Sequence, residues 1–382
     1  MILSNAHLIS PGLEIPEGFL QIEEGEIFAL GPMSELPKDD HVIDLAGKRL
    51  LPGGIDIHCH GADGADTCDA SVASLQHIAE TKLKEGVTTW LPTTLTQPAE
   101  KLVDVVSTIA EWAPHAPLSV PGCHLEGPYI NREQAGAQNP EFTRLPDPLE
   151  LRALNELFPA LILSVAPELP GALEMISEAR SLGITPSAAH STADAATIGE
   201  AIGFGLTHLT HFGNAMTGLH HREIGMVGSG IFEENLMLEI IADGIHLCDD
   251  MLRLLLKVVS VERLMLITDS VAASWQPDGE SSLGGLEVII KDGETRLKRD
   301  GSLAGSMLRF NHGLRRLADL WEGPLHEIVA VGGANQARSL GLCDRGHLEI
   351  GKRADLVVIN DDFEVLQTYV SGERRYSSAP ET

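Results

Sequence analysis

The sequence predicts an α/β protein: a (β/α)8 barrel of the TIM type, with a small β-sandwich domain formed from both termini. Three observations lead there. Between about residues 51 and 342, short apolar runs alternate with amphipathic helical stretches. The two ends instead carry short alternating segments punctuated by Gly and Pro, which are hairpin signals. No Gly-rich dinucleotide fingerprint follows the first apolar run and no phosphate-binding P-loop occurs, so nucleotide-binding open sheets are set aside.

The elements follow in order. Segments 18–22 and 26–30 read as strands of a terminal β unit. Ile55-Asp56-Ile57 begins the barrel and leads to a helix over 71–86, with Leu75, Ile78, Ala79, Lys82 and Leu83 at helical spacing. Segment 87–91 is the next strand, followed by a helix over 98–112 and an apolar run over 117–123. Strands at 161–165 and 184–188 precede helices at 172–182 and 194–203, and 236–241 precedes a helix at 250–260, with a strand at 264–267 after it. Segments 354–359 and 364–370, joined by an Asn-Asp-Asp turn, return to the strand pattern of the N-terminus. The expected division is therefore 1–50 with 343–382 as the β domain, and 51–342 as the barrel.

Composition narrows the function. The 382 residues carry 27 Lys and Arg against 55 Asp and Glu, a formal charge of −28. Such acidity argues against nucleic acid, whose phosphates demand basic partners, and against anionic lipid surfaces. With 43% hydrophobic residues the chain can bury a large core, which excludes disorder. The 5 cysteines are scattered without a Cys-x-x-Cys pair, so no disulfide framework is expected. The first residues lack a basic segment followed by an apolar one, and no apolar run is long enough to span a bilayer. A cytoplasmic protein with reduced thiols is the expectation.

What terminates the apolar runs carries the chemistry. His58 and His60 end the first; His124 and Glu126 end the run over 117–123; His190 and His211 end two more; Asp243 with His246, and Asp269, end the last two. Barrel strands deliver their C-terminal ends to one mouth, so these residues converge. Each alone has an ordinary reading. A single His-x-His pair is a weak signal, Glu126 could stabilise a helix N-terminus, and Asp269 could cap a turn. Together they form a metal-site composition. Side chains two apart on a strand share a face, so His58 and His60 can chelate one ion. Glu126 can bridge two cations, His190 and His211 serve the second, and Asp269 can both ligate and take a proton. Imidazole and carboxylate without thiolate suit Zn first, with Fe, Mn or Co also compatible, and such a site generates hydroxide from water. Strand alternation turns Cys59 away from the ion.

These residues carry a resemblance. The chain resembles the amidohydrolase superfamily and, within it, the N-acetylglucosamine-6-phosphate deacetylase family over nearly its whole length. The resemblance rests on the run 51–60 ending in His58-Cys59-His60, on His124-Leu125-Glu126-Gly127-Pro128, and on His211-Phe212-Gly213-Asn214-Ala215-Met216. Ala189-His190-Ser191, Thr268-Asp269-Ser270, the run 301–306 and the closing Ala354-Asp355-Leu356 also fit. It implies that Glu126, His190 and His211 hold the principal metal and that Asp269 is general base and then acid. It implies one or two divalent ions per subunit, with His58 and His60 completing a binuclear centre. Asn214 and Ala215 would bind the sugar phosphate. Arg222 and His246 would contact the phosphate across a homodimer interface, reaching the neighbouring active site. The implied reaction cleaves the N-acetyl group of N-acetylglucosamine 6-phosphate, giving glucosamine 6-phosphate and acetate. The alternatives are the galactosamine epimer or a non-phosphorylated amide. One departure stands out: Gln138, before Asn139-Pro140, replaces the histidine usual there, and glutamine cannot become an imidazolium.

Overall fold

The computed structural model describes residues 1–38 and 41–379. Strands from both ends assemble one β unit. β1 (Ile2–Ser10), β2 (Leu13–Glu23) and β3 (Glu26–Pro32) form an antiparallel meander. β4 (Val42–Asp44) and β5 (Arg49–Pro52) lie parallel to β1. The chain then leaves to build the barrel and returns as β19 (Leu356–Ile359), β20 (Val365–Val370) and β21 (Glu373–Ser377), with β19 antiparallel to β5. The result is one eight-stranded sheet in the order β21-β20-β19-β5-β1-β2-β3, with β4 beside β1. Period-two alternation sends Leu3, Leu8, Leu20, Leu50, Leu356 and Tyr369 into its own core. Ile9, Leu51, Val357, Ile359 and Phe363 form a separate cluster with Val329 of the barrel segment.

The eight barrel strands are β6 (Gly54–Cys59), β9 (Val87–Thr94), β10 (Cys123–Glu126), β11 (Ala160–Val165), β12 (Thr185–Ala188), β13 (His208–Leu209), β14 (Met237–Ile241) and β15 (Leu264–Ile267), hydrogen-bonded in that order. All of the pairings are parallel. The barrel closes just past the last strand: Asp269 N donates to His58 O at 2.8 Å, and His60 N to Ser270 O at 2.9 Å. The ring is thus sealed by residues of the candidate site. Between them run α1 (Val72–Lys84), α2 (Ala99–Trp112), α3 (Pro148–Leu157), α4 (Ala172–Ser181), α5 (Ala195–Phe204), α6 (Gly225–Phe232) and α7 (Asp249–Val258), and α8 (Phe310–Leu320) follows β15. Their starts follow capping rules: Ser71 accepts from Ser74 N, and Asp194 from Thr197 N.

Two features differ from the sequence reading. Only 123–126 of the run ending in Glu126 is strand; Pro117 and Pro121 have no N–H to give a ladder, so residue 119 only bridges to β9. An insertion after β15 was missed. β16 (Gly279–Leu283), β17 (Leu286–Lys291) and β18 (Glu294–Leu297) form a three-stranded antiparallel flap. Its second turn, Asp292-Gly293, has φ of +53° and +80°, the left-handed pair that an Asp-Gly hairpin provides. Two extremely short strands, β7 (Gly61–Ala62) and β8 (Ala65–Asp66), follow His60. A side chain on Gly61 would sit 2.2 Å from Ala65 O, so only glycine lets the chain turn here.

Candidate metal centre and substrate cavity

Six side chains from five strand ends meet at the barrel mouth. Glu126, the last residue of β10, is the hub. Its Oε1 lies 3.0 Å from His211 Nε2 and 3.1 Å from His190 Nε2, while its Oε2 lies 3.2 Å from His60 Nε2. His58 Nε2 is 3.2 Å from His60 Nε2, and Asp269 Oδ1 is 3.5 Å and 3.4 Å from those two nitrogens. His58 on β6 and His60 just past its end, two residues apart, thus place both rings on one face, as expected. Cys59 turns away, its Sγ 3.2 Å from Ser270 Oγ. Burial pushes its thiol up to about 12, leaving no thiolate donor.

The donor chemistry tests for a cation. His58 Nδ1 faces Glu239 Oε2 at 3.0 Å, His190 Nδ1 faces Gln134 O at 2.8 Å, and His60 Nδ1 faces Thr93 O at 3.3 Å. An oxygen acceptor on Nδ1 fixes the proton there, so each Nε2 presents a lone pair. Three lone pairs therefore point at one carboxylate and at each other. His190 Nε2 and His211 Nε2 stand only 3.1 Å apart. Like-polarity atoms converge in this way around a cation, and the set fits a divalent ion. Two triplets share Glu126: His58 with His60, and His190 with His211.

Backbone strain accompanies the site. His190, His211 and Asp269 have φ of +45°, +32° and +48°, all left-handed for residues with a Cβ. Such conformations cost about 1–3 kcal/mol each and persist only where the surroundings over-determine them. Burial acts to raise the Asp269 carboxyl, but the neighbouring imidazoles of His58 and His60 outweigh it and hold the group down at about 2. Burial likewise opposes ionisation of Glu126, yet the surrounding imidazoles keep it well below the usual carboxylate range.

Sequence reasoning missed Glu239. It lies mid-strand in β14, fully buried, and orients His58; it also accepts from His211 N at 3.4 Å. Its one signal was a charge inside the apolar run 236–241. Partners of this kind tune metal affinity by about 10–100-fold. Glu239→Ala should weaken metal binding by that factor, read by competition with a chelator; unchanged affinity would refute the role. His124, beside it, is satisfied by Ile57 O at 2.9 Å and Ser164 Oγ at 2.8 Å, and burial holds it well below its usual value, neutral.

A cavity of about 520 Å³ opens over these residues. Gln138, Asn214, Ala215 and His246 line it, as the sequence reading requires of substrate contacts. Gln138 is buried, its Oε1 accepting from Thr96 N at 2.6 Å and its Nε2 donating to Glu126 Oε2, so it steadies the hub carboxylate. Asn214 is turned by hydrogen bonds from its amide to His211 O and Phe212 O. The expectation that His246 reaches a neighbouring site is corrected: its ring lines this chain's own cavity. The turn after β14 folds it inward, with Nδ1 held 2.6 Å from Asp243 Oδ2 and the side chain only 6% exposed. Arg222 lies outside that lining, exposed, with Nη1 2.8 Å from His221 Nε2. The flap and the loop after β10 add cavity residues the sequence reading did not single out, among them Arg132, Leu283, Arg299 and Leu303. Arg299 Nη2 donates to Gly136 O at 2.9 Å, tying the flap to that loop.

Comparison with known proteins places this architecture. Residues 49–375 match the model of the amidohydrolase family. The N-acetylglucosamine-6-phosphate deacetylase of Bacillus subtilis (strain 168) is 34% identical over 389 residues, covering 99% of this chain and 98% of that protein. The N-acetylgalactosamine-6-phosphate deacetylase of Escherichia coli O157:H7 is 34% identical over 362 residues, with 93% of each chain covered. A mutant N-acetyl-D-glucosamine-6-phosphate deacetylase from Mycobacterium smegmatis, solved in complex with N-acetyl-D-glucosamine-6-phosphate, superposes with a TM-score of 0.94 at 29% identity over 99% of both chains. The fold, the imidazole–carboxylate centre and these full-length likenesses agree: the chain belongs to the amidohydrolase family and, within it, to the N-acetylglucosamine-6-phosphate deacetylases.

Proposed function

We propose that the protein hydrolyses the N-acetyl group of N-acetylglucosamine 6-phosphate to glucosamine 6-phosphate and acetate. The observation that carries this reading is the Glu126 hub, on which four imidazoles converge at the floor of a cavity sized for a sugar phosphate. Glu126, His190 and His211 would hold the principal divalent ion, and His58 and His60 with Glu126 would hold a second; zinc is the first choice, and iron, manganese or cobalt also fit this donor set. When bound, the ion supplies Lewis acidity toward the carbonyl and acidifies water.

The chain's own groups do the rest. Asp269, a carboxylate at neutral pH, takes the proton of the attacking water. It returns that proton to the amide nitrogen, which could not otherwise leave. Acetate and the free amine result. Asn214 and the Ala215 backbone N–H hold the sugar phosphate, and His246 stands beside them. Its ring is pulled down by burial but raised on balance by Asp243, which favours the cationic form. Gln138 keeps Glu126 in register, so this glutamine is tolerated where the family usually has histidine.

Arg222 serves the partner subunit of a homodimer. It is exposed outside its own cavity, and its sequence neighbours Leu219 and Ile224 are exposed at 56% and 38%, apolar surface that a second copy can cover. No described helix is long and apolar enough to cross a membrane, and a cytoplasmic setting agrees with the unpaired cysteines. Arg222→Ala should raise KM for the phosphorylated substrate by about 10–100-fold, the worth of one charge-assisted hydrogen bond, and leave kcat near its original value. An unchanged KM would remove Arg222 from phosphate recognition.

The Escherichia coli relative raises a second reading, the galactosamine epimer. A panel of both N-acetylhexosamine 6-phosphates and their unphosphorylated counterparts separates the possibilities. The gluco phosphate is expected to have the highest kcat/KM; preference for the galacto epimer would move the assignment, and preference for an unphosphorylated sugar would end it.

A further inference from the structure

Beneath the metal ligands lies a buried charged lattice that the chemistry above does not use. Lys82, on the inner face of α1, is fully buried, and its Nζ lies 2.6 Å from Glu85 Oε2, 3.1 Å from Asp56 Oδ2 and 3.3 Å from Thr268 Oγ1. Thr268 Oγ1 donates to Asp56 Oδ2 at 2.6 Å, and Thr268 N donates to Asp56 Oδ1 at 3.2 Å. Asp56 Oδ1 also accepts from His58 N at 3.4 Å. Glu85 is itself fixed by Trp275 Nε1 at 2.8 Å and Phe310 N at 3.0 Å. One ammonium therefore links a helix to the middle of β6 and to the residue just past β15.

Those two positions matter because of what adjoins them. Asp56 precedes His58 by two positions on β6, and Thr268 immediately precedes Asp269. Asp269 projects from a left-handed backbone that its own sequence does not favour. Something must impose that conformation. Ser306 does part of it, its N donating to Asp269 O at 2.8 Å and its hydroxyl donating to Thr268 O. The rest comes from the other side, where the Asp56 carboxylate grips both the N–H and the hydroxyl of Thr268. Lys82 in turn pairs with Asp56 and donates to Thr268 Oγ1, which leaves the hydroxyl proton to the Asp56 carboxylate. Burial acts to lower Lys82, but the Glu85 and Asp56 carboxylates outweigh it and keep the ammonium charged.

We propose that Lys82, Asp56 and Thr268 are positioning residues for the reaction: together they fix the backbone from which Asp269 delivers and returns its proton. The proposal rests on the reading of Asp269 as the proton-transfer group. None of the three lines the substrate cavity. A displacement of the general base by about 1 Å costs on the order of 100-fold in rate, whereas substrate affinity, set elsewhere in the cavity, is unaffected.

The test is Thr268→Val, which keeps the shape and removes the hydroxyl, compared with Thr268→Ser, which restores it. The metal-loaded full-length protein is assayed with N-acetylglucosamine 6-phosphate, and metal content is measured in parallel. Thr268→Val is expected to lower kcat by about 10–100-fold, with KM within about twofold and metal content unchanged. Thr268→Ser is expected to recover kcat to within about threefold. The proposal is overturned if the valine variant keeps its kcat, if serine loses as much as valine, or if the fall tracks lost metal. Should Thr268→Val fail to fold, Asp56→Asn gives the same reading, since it keeps the volume and weakens the grip; a normal kcat there also overturns the proposal. Failure of the underlying reading is distinguishable: an active Asp269→Asn enzyme removes the base itself, whereas an inactive one beside a fully active Thr268→Val removes only the lattice.

Discussion

Asp269→Asn should lower kcat by at least about 1000-fold while the protein keeps its metal, because asparagine preserves the shape of the side chain but cannot take a proton. The expectation follows from position. Asp269 Oδ1 stands 3.4–3.5 Å from the Nε2 atoms of His58 and His60, at the edge of the cluster. The His190, His211 and Glu126 triplet is complete without it. The measurement is kcat on N-acetylglucosamine 6-phosphate together with elemental analysis of the purified variant. Activity within about tenfold of the original refutes the assignment, and loss of metal together with activity reassigns Asp269 as a ligand alone.

Glu126→Gln should be as damaging by a different route. Both carboxylate oxygens are engaged, Oε1 toward His190 and His211 and Oε2 toward His60, so one neutral substitution weakens both triplets at once. The imidazoles would then face one another without their counter-charge. Metal content is expected to fall at both positions together, and kcat/KM by at least about 1000-fold, since the ion contributes several kcal/mol of charge stabilisation. His60→Gln is the contrast: it touches one triplet and leaves the other intact. If Glu126→Gln loses no more metal than His60→Gln, the carboxylate is not the bridge.

The sequence announced the metal centre because barrel geometry turns strand-end residues into neighbours. His58, His60, Glu126, His190, His211 and Asp269 each closed an apolar run, and the structure brings all six to one mouth. What stayed hidden depended on side-chain direction or on tertiary support. Glu239 sat within an apolar strand pattern, where a period-two reading assigns core and ignores the single charge. Lys82 lay on the apolar face of α1, and periodicity could not say that Asp56 and Glu85 neutralise it there. His246 was placed toward a neighbour, but the Asp243 side chain accepts from its backbone N at 2.8 Å and pins the turn inward. The flap of β16–β18 was readable from its Gly-Gly and Asp-Gly turns, yet the barrel alternation on either side masked it. The left-handed backbone at His190, His211 and Asp269 has only a weak sequence signature, since Asp and His visit this region more readily than other side chains but far less than glycine, and the surrounding structure has to impose it.

The most direct test of the account is a crystal structure of the metal-loaded protein with N-acetylglucosamine 6-phosphate bound to the Asp269→Asn variant, with anomalous scattering to locate the ions. The account predicts a peak among Glu126, His190 and His211, a second site bounded by His58, His60 and Glu126, and the acetamide nitrogen within hydrogen-bonding reach of residue 269. An ion bound elsewhere, or an acetamide turned away from residue 269, would contradict it.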